Sequence, residues 1–309
     1  MGAFVISLKT VLPLFLVIFT GVLFSRTKAA SVSWIEILNK YALWIGFPAL
    51  VLASLIQLDL HGQNYSRLII TNSGYIVFCM FLAYPLAKVF GLSNRIKRSL
   101  FLILSFGNVA YLGIPVLGNA YGEKILPVAA VLAAVYVFWL LTLGIILIEI
   151  NGENHLDIKN LLFRLIKNPL LISVFAGLII VIFDISIPEI AGKTIQLFAG
   201  SVTAVVLFSL GIFLGLHNIG KPKEWLMAFV LAVTITLVLP LAFYLVLKNS
   251  EMEPLQFKAT ILDSAMPLGL TPYALAVQYE LEVPLVSKIV VVSTLLAIAV
   301  IPFWMVVLG

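Results

Sequence analysis

The 309 residues are 62% hydrophobic and only 11% charged, whereas ordinary soluble domains are about 25% charged. This excludes a water-soluble globular fold. The net charge of +5 comes from residues in loops between apolar segments, so we expect no nucleic-acid partner. A single cysteine, Cys79, excludes an intrachain disulfide. His61, His155 and His217 fall in or beside loops, and we expect neither a metal nor a cofactor.

Apolar segments of membrane-spanning length recur along the chain. A helix needs roughly 20 apolar residues to cross a hydrocarbon core about 30 Å thick. The sequence therefore predicts an all-α integral membrane protein with ten transmembrane helices, which we call spans 1 to 10. In chain order they cover residues 3–24, 34–57, 67–90, 99–119, 124–149, 169–187, 194–216, 225–247, 258–279 and 285–308.

Basic residues are divided unequally between the two sides of this predicted topology. Thirteen lie on the side of the odd-numbered connections: Arg26, Lys28, Lys40, Lys88, Arg95, Lys97, Arg98, Lys159, Arg164, Lys167, Lys221, Lys223 and Lys288. Six lie on the other side: Lys9, Arg67, Lys124, Lys193, Lys248 and Lys258. Because the cytoplasmic side carries the excess of Lys and Arg, we expect a multi-pass plasma-membrane protein with both termini outside.

The two halves of the chain resemble each other at a nearly constant offset of 155 to 157 residues. The matches are PLFLVIFTG from Pro13 with PLLISVFAG from Pro169, ALVLASL from Ala49 with AVVLFSL from Ala204, PLA from Pro85 with PLA from Pro240, and Pro115 and Pro127 with Pro272 and Pro284. Each half holds five spans, so the second enters the membrane from the opposite face, as an inverted repeat. We predict a first repeat at 1–150, a cytoplasmic linker at 151–168 and a second repeat at 169–309.

Spans 4 and 9 carry residues that break helices near their middles. Interior proline removes a hydrogen-bond donor and clashes with the preceding turn, and glycine costs about 1 kcal/mol in a helix. Non-helical backbone at membrane depth is tolerated where it is buried in protein or lines a cavity. Two breaks at matching positions therefore predict a shared site, although either proline alone is compatible with a simple kink.

The charges exposed by such breaks suggest the kind of cargo. Freed N–H groups at half-helix N-termini attract anions, and freed carbonyls attract a cation or a proton donor. We therefore expect a small organic anion. The expected binding residues are Gly107, Asn108, Tyr111, Gly113, Pro115, Pro267, Gly269, Thr271 and Pro272. The Asn108 amide both donates and accepts hydrogen bonds, and its alternative role is interhelical packing.

Asp263 is the acid nearest the break in span 9. Carboxylates within a membrane are costly and usually functional, so Asp263 is the candidate for ion or proton coupling. The alternative is an ion pair with Lys258. Separately, Gly211 and Gly215 form a GxxxG pattern in span 7. Such a pattern packs helices closely, either within the monomer or in a homodimer formed through span 7 and the other scaffold spans defined below.

The segments GNVAYLGIPVLGNAYG, from Gly107, and SAMPLGLTPYALAVQYE, from Ser264, resemble the auxin efflux carrier family, the PIN-like permeases that include bacterial malate and malonate permeases. The resemblance covers the whole chain. It departs at residues 201–204, where such proteins often carry a proline in span 7.

This resemblance implies a sodium/proton-antiporter-like or bile-acid-transporter-like fold. Spans 1, 2, 6 and 7 would form a scaffold, and spans 3–5 with 8–10 a moving transport domain in which spans 4 and 9 cross. It also implies an elevator movement carrying an organic carboxylate, malate-like or auxin-like, with Asn108, Pro115, Pro267 and Pro272 at the substrate.

A secondary carrier is thus the leading hypothesis for function. The alternatives are an ion channel, a carrier of a neutral or cationic solute, and a membrane-embedded enzyme. An enzyme would need a nucleophile with a base or a metal cluster, and Asp263 has no histidine or second acid near it in the sequence. We therefore expect no catalytic residue. The chain has no GxxxxGK[ST] motif for ATP.

Overall fold

The fold was analysed in a computed structural model, which describes residues 2–56, 65–152, 159, 163, 166–183, 185–216 and 225–309. Within these residues the regular structure is helical, as predicted. We number the helices whose bounds are described α1 to α12. They are α1 Gly2–Phe24, α2 Val32–Tyr41 continued through a π-helical turn at Ala42–Gly46 into Phe47–Leu55, α3 Ser66–Val89, α4 Asn94–Ile103, α5 Val109–Tyr121, α6 Glu123–Ile150, α7 Pro169–Ile182, α8 Glu189–Leu216, α9 Trp225–Leu247, α10 Pro254–Ser264, α11 Leu270–Gln278 and α12 Val283–Leu308.

Six of these helices are long and apolar enough to cross a membrane: α2, α3, α6, α8, α9 and α12. Shorter apolar helices accompany them, including α5 and α7. The chain is therefore a multi-pass membrane protein. Most of the predicted linker at 151–168, and His61, His155 and His217, lie outside the described residues.

Three helices begin earlier than their apolar runs. The helix predicted from residue 99 begins at Asn94, where the Ser93 hydroxyl accepts a hydrogen bond from the Ile96 N–H. The helix predicted from 258 begins at Pro254, and the Glu253 carboxylate accepts from the Gln256 N–H at 2.8 Å. The helix predicted from 194 begins at Glu189. Polar side chains cap the N-termini of the first two of these helices. A hydropathy pattern does not detect such caps, so it places the helix starts too late.

Glycines bring α1 and α8 into main-chain contact. A Cβ on Gly211 would overlap the carbonyl oxygen of Ile18 and lie 2.8 Å from the Cα of Gly21. A Cβ on Gly215 would overlap the hydroxyl of Ser25. The GxxxG pattern of span 7 therefore packs helices within the monomer, the first of its two predicted roles.

Helices α1, α2, α7 and α8 form one packed group. The Tyr41 hydroxyl of α2 lies 2.6 Å from the Ser201 hydroxyl of α8. On the other face of α2, a Cβ on Gly177 of α7 would lie 3.0 Å from the Cβ of Leu55. We call this group the scaffold group.

The remaining helices form a second group around α10. The Asn72 amide of α3 donates to the Thr260 hydroxyl of α10 at 3.0 Å. The Trp304 indole of α12 donates to the Thr236 carbonyl of α9 at 3.0 Å. Helices α3, α5, α6, α9 and α12 all contact α10, which places its last turn in the buried interior of the protein.

Candidate functional site

Both predicted helix breaks are present. One helix ends at Ile103 and resumes at Val109 with a π-helical turn, and the other ends at Ser264 and resumes at Leu270. Pro272 lies in the first turn of α11, where a proline sacrifices no intrahelical hydrogen bond. Pro115 lies deeper in α5, beyond the π-helical turn Val109–Gly113. Each break therefore lies before its proline rather than at it.

The two breaks touch each other through their main chains. Gly107 forms an isolated antiparallel bridge with Leu268, and the Asn108 N–H donates to the Pro267 carbonyl at 2.7 Å. A Cβ on Gly107 would lie 2.9 Å from the Met266 carbonyl oxygen. This approach therefore requires glycine at position 107.

The Asn108 side chain is held at this contact with an unused donor. The residue is 2% exposed, and its Nδ2 has no hydrogen-bond partner in the structure. Its Cγ would lie 3.1 Å from a Cβ on Gly269, so glycine makes room for the amide. A buried donor without an acceptor costs about 1–3 kcal/mol. A ligand that accepts from this amide would remove that penalty.

Asp263 is fully buried in the last turn of α10. Among the described residues, neither carboxyl oxygen has a hydrogen-bond partner. The carboxyl group lies against Gly113, where a Cβ would overlap Oδ1. The ion pair with Lys258 is absent, because the Lys258 ammonium contacts the Gly309 carbonyl and lies 5.4 Å from the centre of the Tyr121 ring.

Aromatic pairs connect both breaks to the scaffold group. Tyr111 packs edge-on against Phe47 of α2, and Tyr273 packs edge-on against Phe213 of α8, with 4.8 Å between ring centres in each pair. Tyr111 thus makes a packing contact at its predicted place beside the break. Thr271 is half-buried in the first turn of α11.

Two cavities flank the contacting breaks. Cavity A, of about 570 Å³, lies between α5 and the scaffold helices α1, α2 and α8. Its lining includes Pro115 and the polar side chains Asn119, Glu123, Gln196 and Thr203. Cavity B, of about 560 Å³, lies between α11, α2 and α8 and is lined by Glu36, Asn39 and Tyr273 among others.

The cavities occupy opposite ends of the scaffold group. Cavity A uses the C-terminal part of α2 and the N-terminal part of α8, and cavity B uses the N-terminal part of α2 and the C-terminal part of α8. Each cavity is thus lined by the C-terminal part of one of these two helices and the N-terminal part of the other. Helices α2 and α8 therefore run antiparallel. The breaks therefore lie between two spaces on opposite sides.

Sequence reasoning missed two groups in this region. The Ser293 hydroxyl of α12 accepts from the Leu268 N–H at 3.0 Å and so stabilises the break before α11. The Tyr136 hydroxyl of α6 is buried without a partner and interacts electrostatically with Asp263. A polar serine within an apolar span could have marked Ser293 as a candidate. Nothing in the sequence around Tyr136, which lies among alanines and valines, distinguished it from a packing residue.

Comparison with known proteins identifies the family of the chain. A family model described as "membrane transport protein" matches residues 6–305, nearly the whole chain. The chain belongs to this family of membrane transport proteins. The match confirms the resemblance to auxin efflux carriers and malate permeases.

Relatives of this membrane transport protein also match over their full lengths. An "uncharacterized transporter" from Methanothermobacter thermautotrophicus is 26% identical over 98% of both chains. A "putative malonate transporter" from Rhizobium meliloti is 22% identical over 94% of this chain and 92% of its own. The "uncharacterized transporter YfdV" from Escherichia coli is 22% identical over 95% of both.

Proposed function

We propose that this membrane transport protein is a secondary carrier that moves a small organic anion, a malate-like or auxin-like carboxylate, by alternating access. The observation that carries the proposal is the contact between the two breaks, where the buried Asn108 amide has no partner. This contact lies between cavities on opposite sides. A carrier needs such a site, reached from each side in turn.

The main chain at the breaks favours an anion. Helices α5 and α11 begin beside the contact, at Val109 and Leu270, and a helix N-terminus carries a partial charge of roughly +0.5. The Asn108 amide adds a donor. The Rhizobium meliloti relative named as a putative malonate transporter also supports a carboxylate cargo.

The proposed architecture has ten spans in two inverted five-helix repeats. Helices α4 and α5 together would form span 4, and α10 and α11 span 9, crossing at the breaks. The scaffold group would stay fixed while the second group moves in an elevator manner. Two observations support the inverted repeat. The two breaks each make an edge-on aromatic pair with the scaffold group, and α2 and α8 line the two cavities with opposite ends.

The proposed setting is the plasma membrane, with both termini outside. The homodimer predicted through the scaffold spans also stays a proposal. It would use faces of the scaffold group other than the Gly211–Gly215 edge, because that edge is covered by α1.

Uptake into proteoliposomes tests the function. We expect saturable uptake of at least one radiolabelled carboxylate from a panel of malonate, malate and an indole-type acid. Asn108→Ala should lower the uptake efficiency by about tenfold or more, since one hydrogen bond to a charged group contributes about 1.5–3 kcal/mol. Asn72→Ala is the matched control, because that buried amide is already bonded to Leu68 and Thr260.

The control should lower thermal stability but leave the substrate concentration for half-maximal uptake unchanged. Absence of saturable carboxylate uptake by folded protein would rule out the organic anion. Equal losses of apparent affinity in Asn108→Ala and Asn72→Ala would remove Asn108 from the site.

One observation favours a second candidate, a carrier of a neutral or cationic solute. The residues that line the two described cavities include Glu123 in cavity A and Glu36 in cavity B, and no lysine or arginine. Neutral and cationic solutes therefore belong in the same uptake panel. Uptake of one of them, with no carboxylate flux, would favour this candidate.

A further inference from the structure

A negative charge on Asp263 is poorly accommodated in the structure. The side chain is 0% exposed, and both oxygens lack a hydrogen-bond donor. It belongs to the last turn of α10, which ends at Ser264, and a helix C-terminus carries a partial negative charge. An isolated buried carboxylate is so unfavourable that such a group takes up a proton instead.

The groups that face Asp263 do not supply a compensating charge. Tyr136 of α6 interacts with it electrostatically. Helix α3 contributes Tyr75 beside the neighbouring Ser264, with Cys79 beside Tyr75. From α5 the facing residue is Gly113. Tyr111 belongs to the same turn of α5 as Gly113, and its ring packs against Phe47. The other titratable residues on α10 and the helices packed against it lie away from its last turn or toward helix ends: Arg67, Tyr84, Lys88, Tyr121, Glu123, Lys124, Glu149, Tyr244, Lys258 and Lys288.

A metal cation fits this position poorly. Hard cations take several oxygen ligands at once. The Asn108 carbonyl already accepts from the N–H groups of Leu112 and Gly113, and the Pro267 carbonyl accepts from Asn108. Among the described residues no group of three His, Cys, Asp or Glu side chains is placed to hold a metal. A proton needs only the carboxyl group itself.

Gly113 links this carboxyl group to cavity A. The carboxyl lies against Gly113 on one side, and the next two residues, Ile114 and Pro115, line the cavity. A single turn of main chain therefore separates Asp263 from the cavity, and a small movement of α5 relative to α10 would expose it.

We propose that Asp263 is the proton-binding site of the carrier, which couples transport to H⁺ rather than to Na⁺. This rests on the proposed transport function. The carboxylate takes a proton from hydronium in cavity A, forming a carboxylic acid and leaving water. It stays neutral while buried and returns the proton to water on the other side. One proton carried with each substrate cancels one carboxylate charge, although the described linings of the two cavities include no basic residue.

Gradient-driven uptake in proteoliposomes tests the coupling, with radiolabelled malonate as the probe. We expect an imposed pH gradient, acid outside, to drive accumulation, and an equal sodium gradient to drive none. Asp263→Asn mimics the protonated form. It should lose pH-driven accumulation, whereas exchange of external labelled for internal unlabelled malonate should persist at a reduced rate.

Two glycine variants provide a matched pair. Gly113→Ala places a methyl group where the carboxyl oxygen lies, so it should reduce pH-driven accumulation more than exchange. Gly74→Ala lies in α3 with no atom within 4 Å of the added methyl, and should behave as wild type. Accumulation driven by sodium, or pH-driven accumulation that survives in Asp263→Asn, would overturn the proposal.

Infrared spectroscopy separates this proposal from the proposed function. The purified wild-type protein should show the carbonyl stretch of a protonated carboxyl group at neutral pH. Asp263→Asn should lack that band, and Asp263→Glu should shift it. A missing band in folded wild type would refute proton binding even if malonate is transported. A present band without any malonate flux would leave proton binding intact and refute the transport of malonate.

Discussion

At the scale of residues, two buried asparagines show how a packing amide differs from a binding amide. Asn72 is 0% exposed; its Nδ2 donates to the Leu68 carbonyl and the Thr260 hydroxyl, while its Oδ1 has no partner among the described residues. Asn108 is 2% exposed, yet its Nδ2 donates to nothing. Buried polar groups in native proteins are nearly always satisfied, and the exceptions call for an explanation. Under the proposed function a transported ligand would satisfy the Asn108 donor, whereas helix packing already satisfies the Asn72 donor.

Gly269 controls the position of the Asn108 amide. In Gly269→Ala the new methyl would lie 3.1 Å from the Cγ and Oδ1 of Asn108, which pushes the amide aside. We expect about a tenfold rise in the carboxylate concentration for half-maximal uptake, equivalent to about 1.4 kcal/mol. Binding of the same carboxylate by isothermal titration calorimetry checks this. An unchanged affinity, with Gly74→Ala as the control, would mean that Asn108 does not contact the substrate.

The sequence predicted which residues lie at or beside the two breaks but not which of them contact each other. Gly107, Asn108 and Gly113 stood out because glycine and amide side chains are unusual in an apolar helix. The sequence did not reveal that Gly113 faces Asp263 or that Gly269 faces Asn108. Those contacts join residues about 150 positions apart, and only the folded chain sets such distances.

At the scale of elements, the α1–α8 contact has the closest backbone approach of the scaffold group. Gly211→Ala would place a methyl on the main chain of Ile18, and no side-chain rotation can relieve that overlap. Overpacking of this kind destabilises by about 1–3 kcal/mol. We therefore expect a lower melting temperature for the detergent-purified protein.

Gly200→Ala supplies the comparison within the same helix. Its methyl would meet no atom within 4 Å, and alanine favours a helix over glycine by about 1 kcal/mol. Its melting temperature should stay equal or rise. A Gly211→Ala protein that melts with wild type would show that α1 and α8 do not pack as described.

Helix breaks were predictable as elements, whereas helix starts were not. Gly107 and Gly269 lie in the breaks themselves, whereas Gly113, Pro115 and Pro272 lie inside the helices that follow them. Residues that disfavour a helix thus marked the right part of each span but not the exact position of the break. The starts at Asn94 and Pro254 depend on single capping contacts from Ser93 and Glu253. These capping residues lie in polar segments, where the hydropathy pattern does not show where the helix begins.

At the scale of the whole molecule, the inverted repeat makes a geometric prediction. Lys88 lies near the end of span 3 and Lys248 directly follows span 8, so they mark corresponding ends of two spans that the repeat relates. Both are exposed. Five predicted spans separate them, and an odd number places them on opposite sides of the membrane. In a parallel repeat, corresponding positions would share one side.

Cysteine labelling tests this in a Cys79→Ala background, whose replaced thiol is fully buried in the protein. A membrane-impermeant maleimide should label Lys248→Cys in intact cells, and Lys88→Cys only after the cells are permeabilised. The excess of Lys and Arg on the Lys88 side gives that direction. Labelling with the two sides exchanged would reverse the orientation but keep the inverted repeat. Labelling of both positions from one side requires an even number of crossings between them, which would exclude the proposed arrangement of five spans in each half.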